Sequence, residues 1–126
     1  MIMIDTSIWI DYFQGKKSAL PLNDLIESNN LCINDMILTE LLPSIEHKNE
    51  FELKELVLSV HKVRLDIDWN ELRNMQIYNY KNGINNAGVP DLIIVQNILR
   101  NGLKVYASDR HFKMMSPIFG FELYNG

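Results

Sequence analysis

The feature that most constrains the fold is a repeated order of short apolar strand, polar helix cap and helix. Residues 1–5 are predicted as a buried strand, and Thr6 or Ser7 can cap the helix that runs on to Phe13. The apolar run Leu31–Ile33 starts the same order again. Strands that lead directly into helices are typical of a parallel sheet covered by helices on both faces.

The rest of the chain continues this alternation. Asn34 or Asp35 can cap one helix, Asp68 can cap a later one, and Pro90 suits the first turn of an apolar helix. Apolar spacing predicts helices at 22–26, 37–45, 51–60, 72–78 and 91–100, an extended or irregular segment at 63–67, a loop at 82–88, and strands at 104–107 and 121–124. We therefore expect an α/β fold, a single-domain three-layer sandwich with a central, mostly parallel sheet.

Length and composition fit this expectation. The chain has 126 residues, so we expect 1–126 to form one domain, and 47% of the residues are hydrophobic, which argues against disorder. Every apolar run is far shorter than the ~18 residues of a membrane span, so neither a signal peptide nor a membrane anchor is predicted. Cys32 is the only cysteine and lies in an apolar run, so we expect a buried side chain, no internal disulfide and a cytoplasmic protein.

The acidic balance of the chain bears on nucleic-acid binding. The formal net charge is −4 and the pI is near 5.3, whereas proteins that bind phosphate backbones usually carry an excess of lysine and arginine. This count applies to the metal-free chain, and a pocket of acids that takes up divalent cations reverses the sign of its own field. The charge therefore does not exclude a nuclease.

Four acids fall at or near the carboxyl ends of predicted strands, which is the edge where parallel α/β sheets bind ligands. Asp5 ends the first strand, Glu40 lies on the helix after the second, Asp91 sits in the first turn of a helix, and Asp109 follows the strand at 104–107. Taken singly, each has an ordinary explanation as a helix cap, a partner of a helix dipole, a turn residue or a solvated helix residue. Their occurrence together at one edge favours a shared site.

Asp91 carries the strongest internal signal. Helical spacing places it on the same stripe as Ile94 and Ile98, in a segment that is apolar nearly all round. A carboxylate on a buried stripe is costly unless it is paired, and no lysine or arginine stands three or four positions away. A cation from solution would supply the missing positive charge. Asp5 directly continues an apolar run, so its carboxylate needs a compensating charge for the same reason.

The type of acid cluster predicts the ion and its chemistry. Carboxylates that gather closely repel one another, and their oxygens select hard cations such as Mg²⁺ or Mn²⁺ over zinc. His47, His61 and His111 are scattered and match no zinc-binding spacing. A cation held by carboxylates suits phosphodiester hydrolysis, because it lowers the pKa of a bound water, polarises the phosphoryl group and neutralises the leaving oxygen. The acids thus predict a metal-dependent nuclease.

Four segments follow one another in a recognisable order. They are Ile-Asp-Thr-Ser-Ile-Trp-Ile-Asp-Tyr-Phe at 4–13, Thr-Glu-Leu at 39–41, Val-Pro-Asp-Leu-Ile-Ile at 89–94 and Ala-Ser-Asp-Arg-His-Phe at 107–112. Together they resemble PIN domains, particularly the VapC-type toxins of bacterial and archaeal toxin-antitoxin pairs. The likeness extends from Met1 to about Phe112.

The resemblance assigns roles to residues. It implies that Asp5, Asp91 and Asp109 hold the metal directly or through water, and that Glu40 binds metal or positions the attacking water. Supporting hydroxyls would come from Ser108 and from Thr6 or Ser7. As a whole it implies a PIN-like fold and a Mg²⁺- or Mn²⁺-dependent endoribonuclease, the toxin of a type II toxin-antitoxin pair, with RNA as substrate, a cognate antitoxin as partner and a homodimer as assembly.

Two positions are kept out of the predicted site. Many relatives carry a further acid two residues after the fourth acidic position, where this chain has His111, which can orient a phosphate or simply lie on the surface. Asp11 matches the opening motif, but its helical position away from Ile8 and Tyr12 favours a solvent-exposed role. The basic residues nearest to the strand-end loops are Lys16, Lys17, Arg110 and Lys113. Each of them can contact the substrate or simply belong to the solvated charged surface.

Other functions remain open at this point. A receiver-type signalling domain shares the fold class and an acidic Mg²⁺ pocket, but the third strand has no obvious phosphate-accepting aspartate and Lys104 begins its strand instead of ending it. A non-catalytic PIN-like module that binds RNA or protein would keep the fold without the activity. Three aromatic side chains can serve either an interface or the chain's own core, namely Trp69, Tyr78 and Tyr80.

Overall fold

The bounds of the helices and strands follow the apolar spacing and the caps. The structure, a computed structural model, describes residues 1–125. In chain order the elements are β1 (Ile2–Ile4), α1 (Thr6–Phe13), α2 (Pro21–Glu27), β2 (Leu31–Ile33), α3 (Asp35–His47), α4 (Phe51–Ser59), β3 (His61–Lys62), α5 (Trp69–Lys81), α6 (Val89–Asn101), β4 (Lys104–Tyr106) and α7 (Arg110–Phe119). A short 3-10 turn, Lys17–Ala19, precedes α2.

The strands form one sheet in the order β3-β2-β1-β4. β1 pairs with two neighbours, so that Ile2 stands opposite both Leu31 and Lys104. Every pair of these strands is parallel, which goes beyond the mostly parallel sheet that was expected. The strand predicted at 121–124 is reduced to one parallel bridge between Leu123 and Val105.

The direction of the crossovers creates a three-layer sandwich and a crevice. The chain moves from β1 to β2 to β3 in one direction and then returns past β1 to β4. Right-handed crossovers place the helices of the first two connections on one face and those of the third on the other. The direction reverses between β1 and β4, and ligands bind at such a switch point beyond the carboxyl ends of the strands. A receiver domain has the strand order 2-1-3-4-5, so this topology excludes it.

The core lies between the sheet and its helices. Trp9 and Phe112 are fully buried in it, and α6 is buried without a break from Leu92 to Ile98. Cys32 of β2 is also fully buried, and burial raises the pKa of its thiol to about 11, which keeps it protonated and unreactive. No helix in the range 1–125 has the length and apolar character needed to cross a membrane.

Three details differ from the predictions. Asp5, and neither Thr6 nor Ser7, caps α1 through its side chain. The helix α7 was not predicted, although Phe112 and Met115 form an apolar stripe at helical spacing; Pro117, which usually interrupts a helix, lies inside it. β3 consists of two exposed residues and precedes the segment that was expected to be extended.

Candidate functional site

Asp5 is fixed at the end of β1 by three contacts. Its backbone N–H donates to Tyr106 O of β4 at 2.9 Å, which ties the residue to the switch point. Its carboxylate Oδ2 accepts the Ser7 hydroxyl at 2.8 Å and the Ser7 backbone N–H at 3.3 Å. The side chain is buried with only 6% exposure, and burial raises its pKa although these hydrogen bonds oppose the rise.

Glu40 reaches the same place from α3. The Thr6 hydroxyl donates to Glu40 Oε1 at 2.8 Å, which links the first turn of α1 to the middle of α3. Glu40 is exposed, and its charge helps to raise the pKa of Asp5. Glu40 therefore faces Asp5 across the gap between two helices.

A buried amide pair holds α3 against α6. The Asn34 side chain accepts from Ile37 N at 3.0 Å, so it caps α3, and donates to Asn97 Oδ1 of α6 at 3.0 Å. Asn97 in turn donates to Arg64 O at 3.0 Å. Because buried amides are costly unless they are paired, this chain of bonds sets the distance between the helices that carry Glu40 and Asp91.

Asp91 occupies the first turn of α6, as predicted, and lies beside the other acids. The pKa of its carboxyl is raised to about 6, first by burial and then by the negative charges of Asp109, Asp5 and Glu40, in that order. His111 is the basic group that opposes this rise. Because the charges of the other three predicted acids act on Asp91, these acids lie close enough to repel it.

Asp109 and His111 complete the cluster from the start of α7. Asp109 Oδ1 caps α7 by accepting His111 N at 2.8 Å. The imidazole turns back toward the acids, with Nδ1 at 3.1 Å from Asp109 Oδ1 and 3.7 Å from Asp91 Oδ2. His111 is not among the residues predicted for the site, yet it lies in it.

The helix ends explain how the chain tolerates these acids. Asp5 and Asp109 cap α1 and α7, and Asp91 sits in the first turn of α6. The positive ends of three helix dipoles therefore point toward the cluster, and each stabilises a nearby carboxylate by about 0.3–1 kcal/mol. The ordinary explanation of Asp5 and Asp91 as helix-terminus residues is correct, and it is compatible with a shared site.

The donor set fits a divalent cation. Asp91, Asp109 and His111 each offer one ligand atom, and these atoms lie within 4.8 Å of one another. Opposite ligands of an octahedral ion with bonds of ~2.1 Å lie ~4.2 Å apart, so one ion can reach all three with small side-chain movements. Asp5 and Glu40 lie close enough to influence Asp91 by their charge, and the raised pKa of Asp91 reflects its burial and this negative charge, which an ion would neutralise.

Two of the three predicted supporting residues contact the acids, and Ser108 contacts Ser7 instead. Thr6 holds Glu40 and Ser7 holds Asp5, both through their hydroxyls. Ser108 contributes its backbone N–H, which donates to Ser7 Oγ at 3.3 Å. The Ser7 hydroxyl thus joins the loops that follow β1 and β4.

Asp11 and the basic residues lie around the cluster. Asp11 is less exposed than expected, with 20% of its side chain accessible, and pairs with Lys16 at 3.3 Å. Arg110 and His111 line a cleft of about 140 Å³ together with Gly83, Ile84, Asn85, Asn86 and Met114. Lys17 and Lys113 are exposed. Contact between these residues and a substrate stays a prediction.

The three aromatic residues do not belong to the core. Trp69, Tyr78 and Tyr80 of α5 are 55%, 46% and 55% exposed, so the explanation that buries them in this chain is wrong. Tyr78 packs beside Phe119 of α7 with the ring centroids 5.7 Å apart. The aromatic residues therefore form part of the outer surface.

Comparison with known proteins bears on the fold and the family. No curated protein gives a significant match to the sequence. A chain in the crystal structure of VapBC2 from Rickettsia felis bound to a promoter DNA fragment is 16% identical, with a TM-score of 0.72 over 98% of both chains. FitAcB from Neisseria gonorrhoeae is 15% identical, with a TM-score of 0.73 over 99% of this chain and 97% of that one. DNA-bound VapBC from Salmonella typhimurium is 15% identical, with a TM-score of 0.73 over 98% of this chain and 96% of that one.

These three likenesses show a shared fold. The family is given by a separate match, in which the sequence model of the PIN domain covers residues 2–116. That range contains all four acids of the cluster as well as His111. Since the pattern of the family runs through nearly the whole sequence, the chain belongs to the PIN domain family.

Proposed function

We propose that this PIN domain is a Mg²⁺- or Mn²⁺-dependent endoribonuclease and the toxin of a type II toxin-antitoxin pair. One observation carries the nuclease part of the proposal. Asp91 is partly buried beside the β1–β4 switch point, and its burial, together with the charges of Asp109, Asp5 and Glu40, raises its pKa to about 6. A site of this kind calls for a cation and suits a phosphodiester substrate.

We assign a separate role in the proposed reaction to each residue of the site. Asp5, Asp91 and Asp109 would hold the ion, and Glu40, fixed by Thr6, would hold it or orient the attacking water. Ser7 keeps the Asp5 carboxylate in one orientation. When bound, the ion supplies a water of lowered pKa and polarises the phosphoryl group. The geometry of α1, α6 and α7 fixes these groups before substrate arrives, which lowers the cost of ordering them during the reaction.

The nuclease is tested with purified protein and a single-stranded RNA, in the presence of Mn²⁺, Mg²⁺ or a chelator. We expect cleavage only with metal, and we expect Asp5→Asn and Asp91→Asn to reduce it by about 100-fold or more, because several kcal/mol of transition-state stabilisation depend on the ion. Asp24→Asn on the exposed surface of α2 is the matched control and should cleave at the wild-type rate.

The same assay separates the proposal from the alternative of a non-catalytic module. RNA that binds without being cleaved, with a wild-type melting temperature that does not respond to metal, would favour the binding module. Cleavage by the Asp5→Asn, Asp91→Asn double variant at the wild-type rate, in a preparation free of contaminating nuclease, would refute the proposed site.

The toxin role implies an antitoxin, and one surface suits it. The solved neighbours include VapBC complexes, two of them described as bound to DNA. A groove of about 210 Å³ between α1 and α3 is lined by Ile10, Phe13, Leu41 and Ile45 and also by Glu40. An antitoxin segment in this groove would contact a residue of the acidic cluster, which gives a direct route to inhibition. A short upstream reading frame for a DNA-binding protein would support this role.

The proposed assembly is a homodimer in the cytoplasm, where the RNA lies. The exposed aromatic residues of α5, Trp69 and Tyr80, are candidates for the dimer interface because exposed aromatics are enriched at such surfaces. Analytical ultracentrifugation of the wild type and of Trp69→Glu, Tyr80→Glu tests the assembly. A monomeric wild type at micromolar concentration would contradict it.

A further inference from the structure

His111 is unusual because it is held within the acidic cluster by its own helix. Its backbone N–H and its ring nitrogen Nδ1 both contact Asp109 Oδ1, at 2.8 and 3.1 Å. Only 18% of the side chain is exposed, and the same nitrogen lies 3.7 Å from Asp91 Oδ2. The imidazole is therefore turned toward two proposed metal ligands instead of extending into solvent.

We propose that His111 Nδ1 is a direct ligand of the bound ion and makes the site prefer first-row transition-metal ions such as Mn²⁺ over Mg²⁺. This inference rests on the proposed metal-dependent function. Many relatives of this chain carry an acid at the position of His111. The proposed nitrogen ligand is therefore specific to this chain and is not a feature of the four acidic positions that it shares with those relatives.

The distances support coordination. Neighbouring ligands of an octahedral ion with bonds of ~2.1 Å lie ~3.0 Å apart. His111 Nδ1 lies 3.1 Å from Asp109 Oδ1, which matches this ligand-to-ligand distance. It lies 3.7 Å from Asp91 Oδ2, and a small side-chain rotation would bring the two atoms to the same distance. The three atoms also belong to one group within 4.8 Å, so a single ion can contact them together.

The chemistry of nitrogen supports the preference. Mg²⁺ is a hard ion that binds oxygen and gives up its waters reluctantly, whereas imidazole suits transition metals. Replacing one carboxylate by a neutral imidazole also removes a negative charge, which weakens the purely electrostatic attraction on which Mg²⁺ depends. Both effects act in the same direction, toward a transition-metal ion.

The experiment measures metal binding without any RNA. Metal-free protein is titrated with Mn²⁺ and followed by electron paramagnetic resonance, and pulsed measurements on the bound Mn²⁺ detect ¹⁴N coupling from a coordinated imidazole. The variant His111→Asp restores an oxygen ligand, and His61→Gln on the exposed edge strand β3 is the matched control. Labelling histidine with ¹⁵N in the wild-type protein changes the coupling even if His111→Asp folds poorly.

We expect ¹⁴N coupling in the wild type and in His61→Gln, its loss in His111→Asp, and its replacement by the ¹⁵N pattern after labelling. We also expect that displacing Mn²⁺ from the wild type needs roughly tenfold more Mg²⁺ than displacing it from His111→Asp, since even residues that only orient a metal ligand alter affinity by about 10–100-fold. Tight Mn²⁺ binding without nitrogen coupling would overturn the role of His111 and leave the proposed nuclease intact. Absence of any Mn²⁺ binding at millimolar concentration would overturn both.

Discussion

The Ser7 hydroxyl donates a 2.8 Å hydrogen bond to Asp5 Oδ2 and so locks the acid that ends the central strand β1. Ser7 Oγ also accepts a hydrogen bond of 3.3 Å from the backbone N–H of Ser108, which lies in the loop after β4. One hydroxyl thus serves an acid and the backbone of a neighbouring loop. The two loops that form the switch point are therefore coupled through a single side chain.

Ser7→Ala should loosen both loops at once. Loss of the hydroxyl leaves Asp5 with one donor fewer, raises its pKa further, and removes the acceptor of Ser108 N–H. We expect the free energy of unfolding to fall by about 1–3 kcal/mol and RNA cleavage to fall by roughly tenfold or more, because the ligand loses its fixed orientation. Urea denaturation and cleavage rates measure both. Ser59→Ala, at a hydroxyl that bonds only to Leu56 O in its own helix, is the control.

Divalent metal should stabilise the folded protein. The ion binds the converged acids of the native state and relieves their repulsion, so saturation at a hundred times Kd adds about 2.7 kcal/mol. This corresponds to a rise in melting temperature of roughly 10 °C for a chain of this size. Asp91→Asn should lose most of the rise, whereas Asp24→Asn should retain it. An unchanged wild-type melting temperature at millimolar Mg²⁺ and Mn²⁺ would mean that the acids bind no ion.

Without metal, stability should depend on pH through Asp91. Its pKa rises from 3.8 to about 6 on folding, so between these values the folded state binds more protons than the unfolded state. The contribution of protonated Asp91 is present below about pH 4 and is lost as the pH rises through 6. Urea midpoints in chelator at pH 4.5, 5.5, 6.5 and 7.5 should fall more steeply for the wild type than for Asp91→Asn. Parallel curves for the two proteins would contradict the raised pKa.

The groove between α1 and α3 should bind the antitoxin. Ile10 is 43% exposed and lines this groove, so Ile10→Asp adds a charge to an apolar contact without disturbing the buried core. We expect co-purification with the product of an adjacent antitoxin gene to fall by at least tenfold, while RNA cleavage by the free variant remains. Leu58→Asp, at an exposed position of α4, is the control. Equal co-purification of both variants with the antitoxin would show that the antitoxin binds a different surface.

Long elements with a strong apolar stripe could be predicted from the sequence. The helix α6 is the clearest case, because Pro90 lies in its first turn, Gly102 ends it in a left-handed conformation, and the run from Leu92 to Val95 with Ile98 and Leu99 is apolar. β3 could not be predicted, since two exposed residues, His61 and Lys62, carry no apolar signal and pair only because β2 offers an edge. Tertiary context decides such short strands.

The acids of the candidate site could be predicted as a group, and their geometry could not. Parallel strands bring their carboxyl ends to one edge, so the positions of Asp5 and Asp109 in the sequence already indicate proximity. His111 was considered and left out of the predicted site because many relatives carry an acid at its position, and without α7 the direction of its side chain could not be predicted. Asp109 as an N-cap followed two residues later by a side chain in the first turn is the signal that would have placed the imidazole beside the cap.

The strand order β3-β2-β1-β4 has a consequence for the synthesis of the protein. The partner of β1 that closes the crevice is the last strand to leave the ribosome, and Asp109 follows it. A growing chain that already contains Asp5, Glu40 and Asp91 still lacks the strand β4, and the loop after β4 that brings Asp109 beside them. The proposed cation site is therefore complete only after β4 and Asp109 have been made, and no earlier part of the chain contains all of its ligands.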